Sequence, residues 1–332
     1  MKKNLSDLIR FMIGLVISLV VGAVVFYKVD WYKTLMAFMN FKWIAIPQFI
    51  LAYFLSTLAR AMASRMLLEK QPTINQSFVS LVEGYLLNNL FPFRLGEVGR
   101  AYFLGRKSNI SVFRVLSANF VERILDLIFV TSLLVSTFPF VFEMEWIRPV
   151  TFTTLAGMIL VSIFLYIIVR FRERFQKISE AGLKRFPIAE KFILPKLHLA
   201  IDGLSVLGDF SKSANVFVWM AICWFFNIAG SFIVLKQFVP SAPPYWAIFI
   251  VGVVAFAGAI PSSPAALGVL EGAVVMALSI LGIASSTALA FALVWHFLVI
   301  GIAFVLGLYA FSKETESVWK IYEQLLTQRK SD

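Results

Sequence analysis

The sequence predicts an all-α polytopic membrane protein, and three observations carry this prediction. Hydrophobic residues make up 60% of the 332 residues and charged residues only 15%, whereas about a quarter of an ordinary soluble domain is charged. The apolar residues form runs long enough for an α-helix to cross a bilayer. Lysine and arginine outnumber aspartate and glutamate by 30 to 19. This basic excess favours a role in membrane topology over nucleic-acid binding, because so few polar side chains remain to cover a soluble surface.

Six apolar runs bounded by charged residues have the length of transmembrane helices. They cover residues 8–27, 43–67, 115–141, 149–169, 214–238 and 286–311. The first run follows Met1-Lys-Lys, as in a signal peptide, but no small-residue cleavage site precedes Lys28. We therefore predict that it is a retained helix.

Two further apolar stretches, 76–106 and 245–283, are interrupted near the middle by proline and glycine. The predicted turn residues are Pro92, Gly96 and Gly99 in the first stretch and Pro261, Pro264 and Gly268 in the second. Each half is short for a span, and broken backbone inside a membrane is tolerated only where protein or a water-filled cavity satisfies it. We predict two re-entrant hairpins, with two short full spans in each stretch as the alternative.

The distribution of lysine and arginine predicts a cytoplasmic (inner) membrane protein with both termini in the cytoplasm. The longest basic segment, 171–212, carries apolar residues at helical spacing, which indicates an amphipathic helix on the inner surface. The first hairpin then enters from the cytoplasm and the second from outside.

The chain reads as a single membrane domain, 1–332, built from two similar halves. Half one covers about 1–143 and half two about 149–312, followed by a cytoplasmic tail at 313–332. Each half contains two spans, a broken hairpin and a third span, and the halves have opposite orientation. This arrangement predicts an inverted repeat, as in many transporters.

Ionisable groups inside a membrane are costly and tend to mark pathways or binding sites. Here they cluster in the first hairpin and the following span, together with two asparagines: Asn88, Asn89, Arg94, Glu97, Arg100, Glu122, Arg123 and Asp126. The helix start after Pro92 offers free backbone N–H groups, and two arginines beside it can hold a phosphate bidentately. By spacing, Glu97 can pair with Arg100 and Arg123 with Asp126. The alternative is that these charges merely neutralise one another or fix topology.

The second hairpin carries Glu271, which is the only acidic residue between Asp209 and Glu314. It is a candidate cation or proton site, a partner for an arginine of the first half, or a carboxylate at the outer water interface. His296 is expected to hydrogen-bond a neighbouring helix. Asn88 and Asn89 are expected to satisfy broken backbone or to contact a head group.

Catalytic templates are mostly absent from the sequence. The two histidines, His198 and His296, form no HExxH motif, and no GxSxG, P-loop or GxGxxG is present. The single cysteine, Cys223, excludes a disulfide framework. We predict a protein that is not an enzyme, with no cofactor and no metal.

Three motifs resemble the transmembrane-region family of lysylphosphatidylglycerol synthase, also called flippase-like membrane proteins. They lie within residues 83–102, 121–126 and 264–272. The resemblance implies movement of a charged lipid between leaflets. Relatives are fused to aminoacyl-lipid synthases or polyprenyl-phosphate glycosyltransferases, and we expect a standalone member here without their activity.

The resemblance and the charged residues together predict a lipid translocase. Its substrate would be an anionic or phosphate-bearing lipid, such as an aminoacyl-phospholipid or a polyprenyl-phosphate-linked lipid. Arg94, Arg100 and Arg123 would receive the phosphate, Glu97, Glu122 and Asp126 would orient the arginines, and Glu271 would serve the outward half. Two alternatives remain: a small intramembrane lipid-modifying transferase, or a non-transporting partner of a separately encoded glycosyltransferase or synthase.

Overall fold

The computed structural model describes residues 12, 15–24, 27, 29–91, 95–171, 174, 208–258, 260 and 262–313. Every regular element in these ranges is helical. The helices are α1 (Leu15–Val24), α2 (Trp31–Met39), α3 (Ala45–Leu67), α4 (Ile74–Leu90), α5 (Gly96–Ser108), α6 (Val112–Val141), α7 (Ile147–Arg170), α8 (Phe210–Phe238), α9 (Pro244–Ala257), α10 (Val269–Ile280) and α11 (Ser285–Phe311). Several predictions fall outside the described residues, namely those on Pro92, Arg94, Pro261, most of 171–212 and the tail after 313.

Five of the described helices, α3, α6, α7, α8 and α11, are long and apolar enough to cross a membrane. They correspond to five of the six predicted spans, and the all-α polytopic fold is confirmed. The remaining predicted span, 8–27, is described chiefly over α1. The predicted boundary between the two halves falls in the short connection between α6 and α7.

A short helix between α1 and α3, α2, was not among the predicted elements. The side chain of Asp30 caps its start by accepting a hydrogen bond from the backbone N–H of Lys33 (3.2 Å). Thr34 is buried against α11, where its hydroxyl lies 3.4 Å from the backbone oxygen of Ser286. Because α2 has only nine residues, it escaped a search for runs of spanning length.

Both broken stretches form pairs of helices that are short for a span. Hairpin one consists of α4 and α5, and hairpin two consists of α9 and α10. The amide of Gln76, in the first turn of α4, donates to the backbone oxygen of Lys107 near the end of α5 (2.6 Å). The open ends of hairpin one therefore lie side by side, as they do in an antiparallel helix pair.

Glycine allows the backbones of α4 and α5 to approach closely near the break. A Cβ atom on Gly96 would lie 2.0 Å from the backbone oxygen of Gly84, so neither helix could hold its position with a larger residue there. Hairpin two needs glycine for another reason. Gly268 has a φ of +82°, in the region that L-residues rarely adopt, and a Cβ there would lie 2.5 Å from the backbone oxygen of Ser18.

The breaks of the two hairpins approach each other within the fold. Hairpin two contains a short 3₁₀ turn, Pro264–Ala266, which packs against α4 of hairpin one. Nearby, the backbone N–H of Ser263 donates to the hydroxyl of Ser18 on α1 (2.9 Å). The two interrupted segments thus come together although they are about 170 residues apart in the chain.

The helix packing has the symmetry that an inverted repeat requires. The corresponding helices α3 and α8 pack antiparallel over most of their length, with Phe49 against Gly230 and the hydroxyl of Ser56 donating to the backbone oxygen of Cys223 (2.9 Å). In the two halves, α4 corresponds to α9, α5 to α10 and α6 to α11. The packing of α4 on α11 therefore corresponds to that of α9 on α6, and the packing of α5 on α6 to that of α10 on α11. All four contacts are present. The contact pattern thus supports the predicted internal symmetry.

The carboxylate of Glu69 connects the ends of three helices on one side of the molecule. Glu69, just after α3, accepts hydrogen bonds from Lys212 on α8 (3.2 Å) and Arg114 on α6 (2.8 Å). The hydrogen bond from Lys212 is the largest cause of a lowered pKa of Glu69. At the opposite end of α3 and α8, the rings of Phe41 and Phe238 stack with their centroids 5.7 Å apart.

Candidate functional site

Two arginines and two carboxylates form a buried network between α3, α5 and α6. Arg60 on α3 donates from Nη1 to Glu122 (2.9 Å) and to Asp126 (2.8 Å), and from Nη2 to Asp126 (2.9 Å). Arg100 on α5 holds Glu122 from the other side, with distances of 3.1 and 2.9 Å. Glu122 and Asp126 lie one turn apart on α6, so both face the arginines.

Three further side chains complete this network. Arg123 donates to Asp126 (3.0 Å) and also contacts the carboxylate of Glu97. The indole nitrogen of Trp224 on α8 donates to Asp126 (3.2 Å). We call Arg60, Arg100, Arg123, Glu97, Glu122 and Asp126 the charge cluster. Its three guanidinium groups and three carboxylates have a formal sum of zero.

The pairing within the charge cluster agrees only in part with the sequence analysis. The predicted pair of Arg123 and Asp126 is present. The predicted pair of Glu97 and Arg100 is replaced, because the packing of α6 on α5 places Glu122 within reach of Arg100. Arg100 is 2% exposed, and its Nε is buried with no hydrogen-bond partner among the described residues. Phosphate binding by Arg100 and Arg123 stays a prediction.

Arg60 was missed because it lies in the apolar run 43–67, which we had treated as a plain span. A signal was available in the spacing of Tyr53, Ser56, Thr57 and Arg60, which recur at i, i+3, i+4 and i+7. This is the spacing of one helix face. A polar face inside a spanning helix indicates contact with a site or with another polar helix.

That polar face of α3 lines a cavity of about 280 Å³ beside the charge cluster. Its polar lining includes Tyr53, Arg60, Tyr85, Asn88, Asn89 and Asn227. Asn88 accepts a hydrogen bond from the backbone N–H of Gly96 (2.8 Å), and so satisfies backbone at the break as predicted. Asn89 donates within its own helix to the backbone oxygen of Tyr85 (3.0 Å). The hydroxyls of Tyr53 and Tyr85 make no hydrogen bond to any described residue.

A second cavity, of about 230 Å³, adjoins the first and is more apolar. The two share Tyr53, Trp224, Asn227 and Val299 in their linings. Phe49, Val251 and Leu270 line the second cavity, together with His296 on α11. The two adjoining cavities therefore lie between the charge cluster and His296.

His296 pairs with Glu271, the lone acidic residue of the second half. Its Nδ1 lies 2.7 Å from one carboxylate oxygen, while the other oxygen accepts from the backbone N–H of Gly268 (2.7 Å) at the start of α10. The Glu271 and His296 side chains are 7% and 5% exposed. Glu271 thus has a histidine of its own half as its partner, and His296 makes the expected contact to a neighbouring helix.

The paired residues occupy related places in the two halves. Arg100 and Glu122 join the second helix of hairpin one to the span that follows it, α6. Glu271 and His296 join the second helix of hairpin two to its following span, α11. Because the two pairs join corresponding helices, the symmetry of the fold extends to its buried charges.

These features define a polytopic helical membrane protein with two broken hairpins around a polar interior. Residues 11–307 match the family described as the lysylphosphatidylglycerol synthase TM region. The chain belongs to this family. A similar curated relative is the UPF0104 membrane protein MJ1078 of Methanocaldococcus jannaschii, which is 28% identical over 212 residues, or 61% of this chain and 83% of the relative. No solved structure matches the chain significantly.

Proposed function

We propose that this protein is a lipid translocase of the cytoplasmic membrane. Its substrate is an anionic or phosphate-bearing lipid, such as an aminoacyl-phospholipid or a polyprenyl-phosphate-linked lipid. The observation that carries the proposal is the pair of adjoining cavities between the charge cluster and His296, which we assign as the path of the head group. A polar head group needs such a path because its passage through hydrocarbon is costly, whereas the lipid tails can stay in the bilayer.

In this proposal both hairpins are re-entrant and enter from opposite sides of the membrane. Hairpin one opens to the cytoplasm, hairpin two opens to the outside, and both termini are cytoplasmic. The adjacent open ends of hairpin one support this arrangement, as does the packing of the 3₁₀ turn Pro264–Ala266 against α4. Each hairpin would then close one side of the path.

Arg60 is the described arginine that lines the cavity, so we assign it the first contact with the lipid phosphate. Glu122 and Asp126 hold its guanidinium in place. The unpaired hydroxyls of Tyr53 and Tyr85 supply further donors. The predicted roles of Arg94, Arg100 and Arg123 belong to the same proposal.

The proposal includes no catalytic step, so the chain is not an enzyme. A lipid-modifying transferase would instead convert the lipid when the purified protein is given a donor. A separately encoded synthase or glycosyltransferase is compatible with translocation as a partner that supplies or consumes the lipid. Co-purification of such an enzyme without lipid movement would favour a docking role instead.

The test uses vesicles that contain the protein and phosphatidylglycerol with a fluorescent acyl chain, bleached from outside by dithionite. Wild type should allow bleaching beyond the outer leaflet's share. Tyr53→Phe and Tyr85→Phe should each slow this roughly twofold to tenfold, because each removes the proposed hydrogen bond to the lipid head group, worth about 0.5–1.5 kcal/mol. Tyr309→Phe is the matched control, since Tyr309 is exposed on α11 away from the cavities.

Two results would contradict the proposal. The first is that vesicles with wild-type protein bleach no further than protein-free vesicles. The second is that both cavity variants bleach at the same rate as Tyr309→Phe. Product formation from the labelled lipid, detected by mass spectrometry of the same vesicles, would favour the transferase.

A further inference from the structure

The pair of Glu271 and His296 has features that the proposed head-group site does not use. Both side chains are almost fully buried, and the pair joins hairpin two to α11. Glu271 also caps the start of α10 at the break of the hairpin. His296 lines the apolar cavity, and its Nε2 has no hydrogen-bond partner among the described residues.

We propose that Glu271 and His296 form a proton-binding site whose occupancy controls the attachment of hairpin two to α11 and so couples lipid movement to a proton gradient. This inference rests on the proposed translocase function. It assigns the ligand of the site, a proton, and the energy source of transport.

The proton balance follows from the contacts. In the proton-free state, Nδ1–H of His296 donates to the carboxylate of Glu271, and Nε2 carries a lone pair. A proton from water adds to Nε2 without breaking the Nδ1 contact, which changes the net charge of the pair from −1 to zero. The contact becomes charge-assisted, and such hydrogen bonds are shorter and stronger than neutral ones. Hairpin two is then held more firmly on α11.

Among the ionisable groups in this region, we assign the response to pH to the Glu271–His296 pair. The other ionisable side chains that line the two adjoining cavities are Tyr53, Arg60, Tyr85 and Cys223. On the helices packed against α10 and α11, Glu83 on α4 pairs with Lys107, Lys33 on α2 pairs with Asp30, Lys236 on α8 donates to the backbone oxygen of Pro240, and the ring of Tyr245 on α9 contacts Phe140. Tyrosine and cysteine stay neutral near neutral pH, apart from special environments. Histidine is the side chain whose ordinary titration falls between about pH 5 and 8.

The charge cluster is a poorer proton site for two reasons. Its arginines do not deprotonate in proteins. Glu122 and Asp126 each accept hydrogen bonds from two arginines, so a proton added there would compete with these donors. Proton binding and head-group binding are therefore assigned to opposite ends of the same path.

The first test observes the proton directly. The chain has two histidines, so His198→Gln leaves His296 as the only one, and its ring nitrogens can be followed by ¹⁵N NMR in detergent. At high pH the proton should reside on Nδ1, and Nε2 should gain a proton as the pH falls from about 8 to 5. Adding Glu271→Gln should lower the fraction of imidazolium at each pH. A ring that stays neutral over this range, or a neutral form protonated on Nε2, would overturn the proposal.

The second test measures coupling in the dithionite vesicles, with equal pH on both sides or with a gradient. If one proton moves per lipid, a gradient of about one pH unit should shift the steady-state distribution of the lipid between leaflets about tenfold. His296→Gln should lose this shift, and His198→Gln should keep it. For each variant, the lipid distribution with a gradient is compared with the distribution at equal pH. A change in the basal rate of lipid movement therefore does not affect the comparison.

The outcomes separate the two proposals. Protein-dependent lipid movement that ignores the gradient, or a His296→Gln variant that responds like wild type, overturns proton coupling and leaves the translocase intact. Absence of protein-dependent movement in every variant overturns the translocase, and the NMR titration then decides on the proton site alone.

Discussion

Glu122 accepts hydrogen bonds from two arginines that come from different helices, Arg60 and Arg100. Removing charges from water is costly, and the attraction between them offsets this cost only when the geometry is good and the remaining hydrogen bonds are satisfied. The network therefore fixes how α3, α5 and α6 fit together. It also holds Arg60 in the lining of the cavity, as the proposed contact with the lipid phosphate requires.

We expect Arg100→Gln to destabilise the protein by about 3–5 kcal/mol, because it leaves Glu122 buried with one arginine fewer. The double variant Arg100→Gln/Glu122→Gln should cost less than the sum of the single changes, since the unmatched charge is gone. Unfolding in a mixed-micelle denaturant titration measures both.

Arg114→Gln is the control for this comparison. The Arg114 side chain forms a salt bridge with Glu69 and is 44% exposed. Such surface pairs contribute about 0–1 kcal/mol to the free energy of unfolding. Equal losses of stability for Arg100→Gln and Arg114→Gln would mean that the buried network contributes no more than an exposed ion pair.

The sequence predicted five members of the charge cluster but not how most of them pair. Glu97 and Asp126 could be predicted as cluster members from motif and charge, because they belong to stretches that are rich in ionisable residues. Arg60 is the only charged residue in the middle of its span, and its partner Glu122 is 62 positions away. Contacts of that kind depend on the packing of separate helices, which no spacing rule within one helix supplies.

At the scale of elements, hairpin one is held at its break by an unusually close backbone approach. Gly84 on α4 and Gly96 on α5 face each other, and Asn88 accepts from the N–H of Gly96. The same break places Asn88 and Asn89 in the cavity lining. The geometry of this turn therefore bears directly on the shape of the proposed head-group site.

Gly96→Ala should destabilise the protein by about 1–3 kcal/mol and weaken lipid movement, because the added methyl group forces α4 and α5 apart. Gly157→Ala on α7 is the control, as no atom lies within 4 Å of a Cβ at that position. Thermal unfolding in detergent and the dithionite assay should show the difference. A Gly96→Ala protein as stable as Gly157→Ala would show that the close approach is dispensable.

The existence and limits of most helices could be predicted, because length and charge determine them. Proline and glycine marked both breaks. The short helix α2 could not be found in this way, although Asp30 carries the local signal of a helix start. The 3₁₀ turn Pro264–Ala266 begins at the predicted turn residue Pro264, but its contact with α4 has no local signal in the sequence.

On the scale of the whole molecule, the antiparallel packing of α3 and α8 relates the two halves. Exchange of the halves preserves the main helix contacts and places the Arg100–Glu122 pair opposite the Glu271–His296 pair. The order of elements allowed this symmetry to be predicted. The contacts across the centre could not be predicted, because they join residues more than 100 positions apart.

The orientation in the membrane can be tested with single cysteines in a Cys223→Ala background. An impermeant maleimide should label Ser241→Cys, between α8 and α9, in intact cells. It should label Asn75→Cys, at the start of α4, only after the cells are made permeable, because basic segments stay cytoplasmic. Both side chains are exposed. The reverse pattern would invert the proposed sidedness and the direction in which each hairpin opens.

The zero sum of the charge cluster has a consequence for a membrane that carries a voltage. A displacement of the cluster as one body across the field involves no net electrical work, since its three positive and three negative charges move together. The Glu271–His296 pair differs by one elementary charge between its two protonation states. One charge crossing the full field corresponds to about 2.3 kcal/mol per 100 mV. In the proposed proton coupling, the voltage therefore acts on hairpin two and not on the charge cluster.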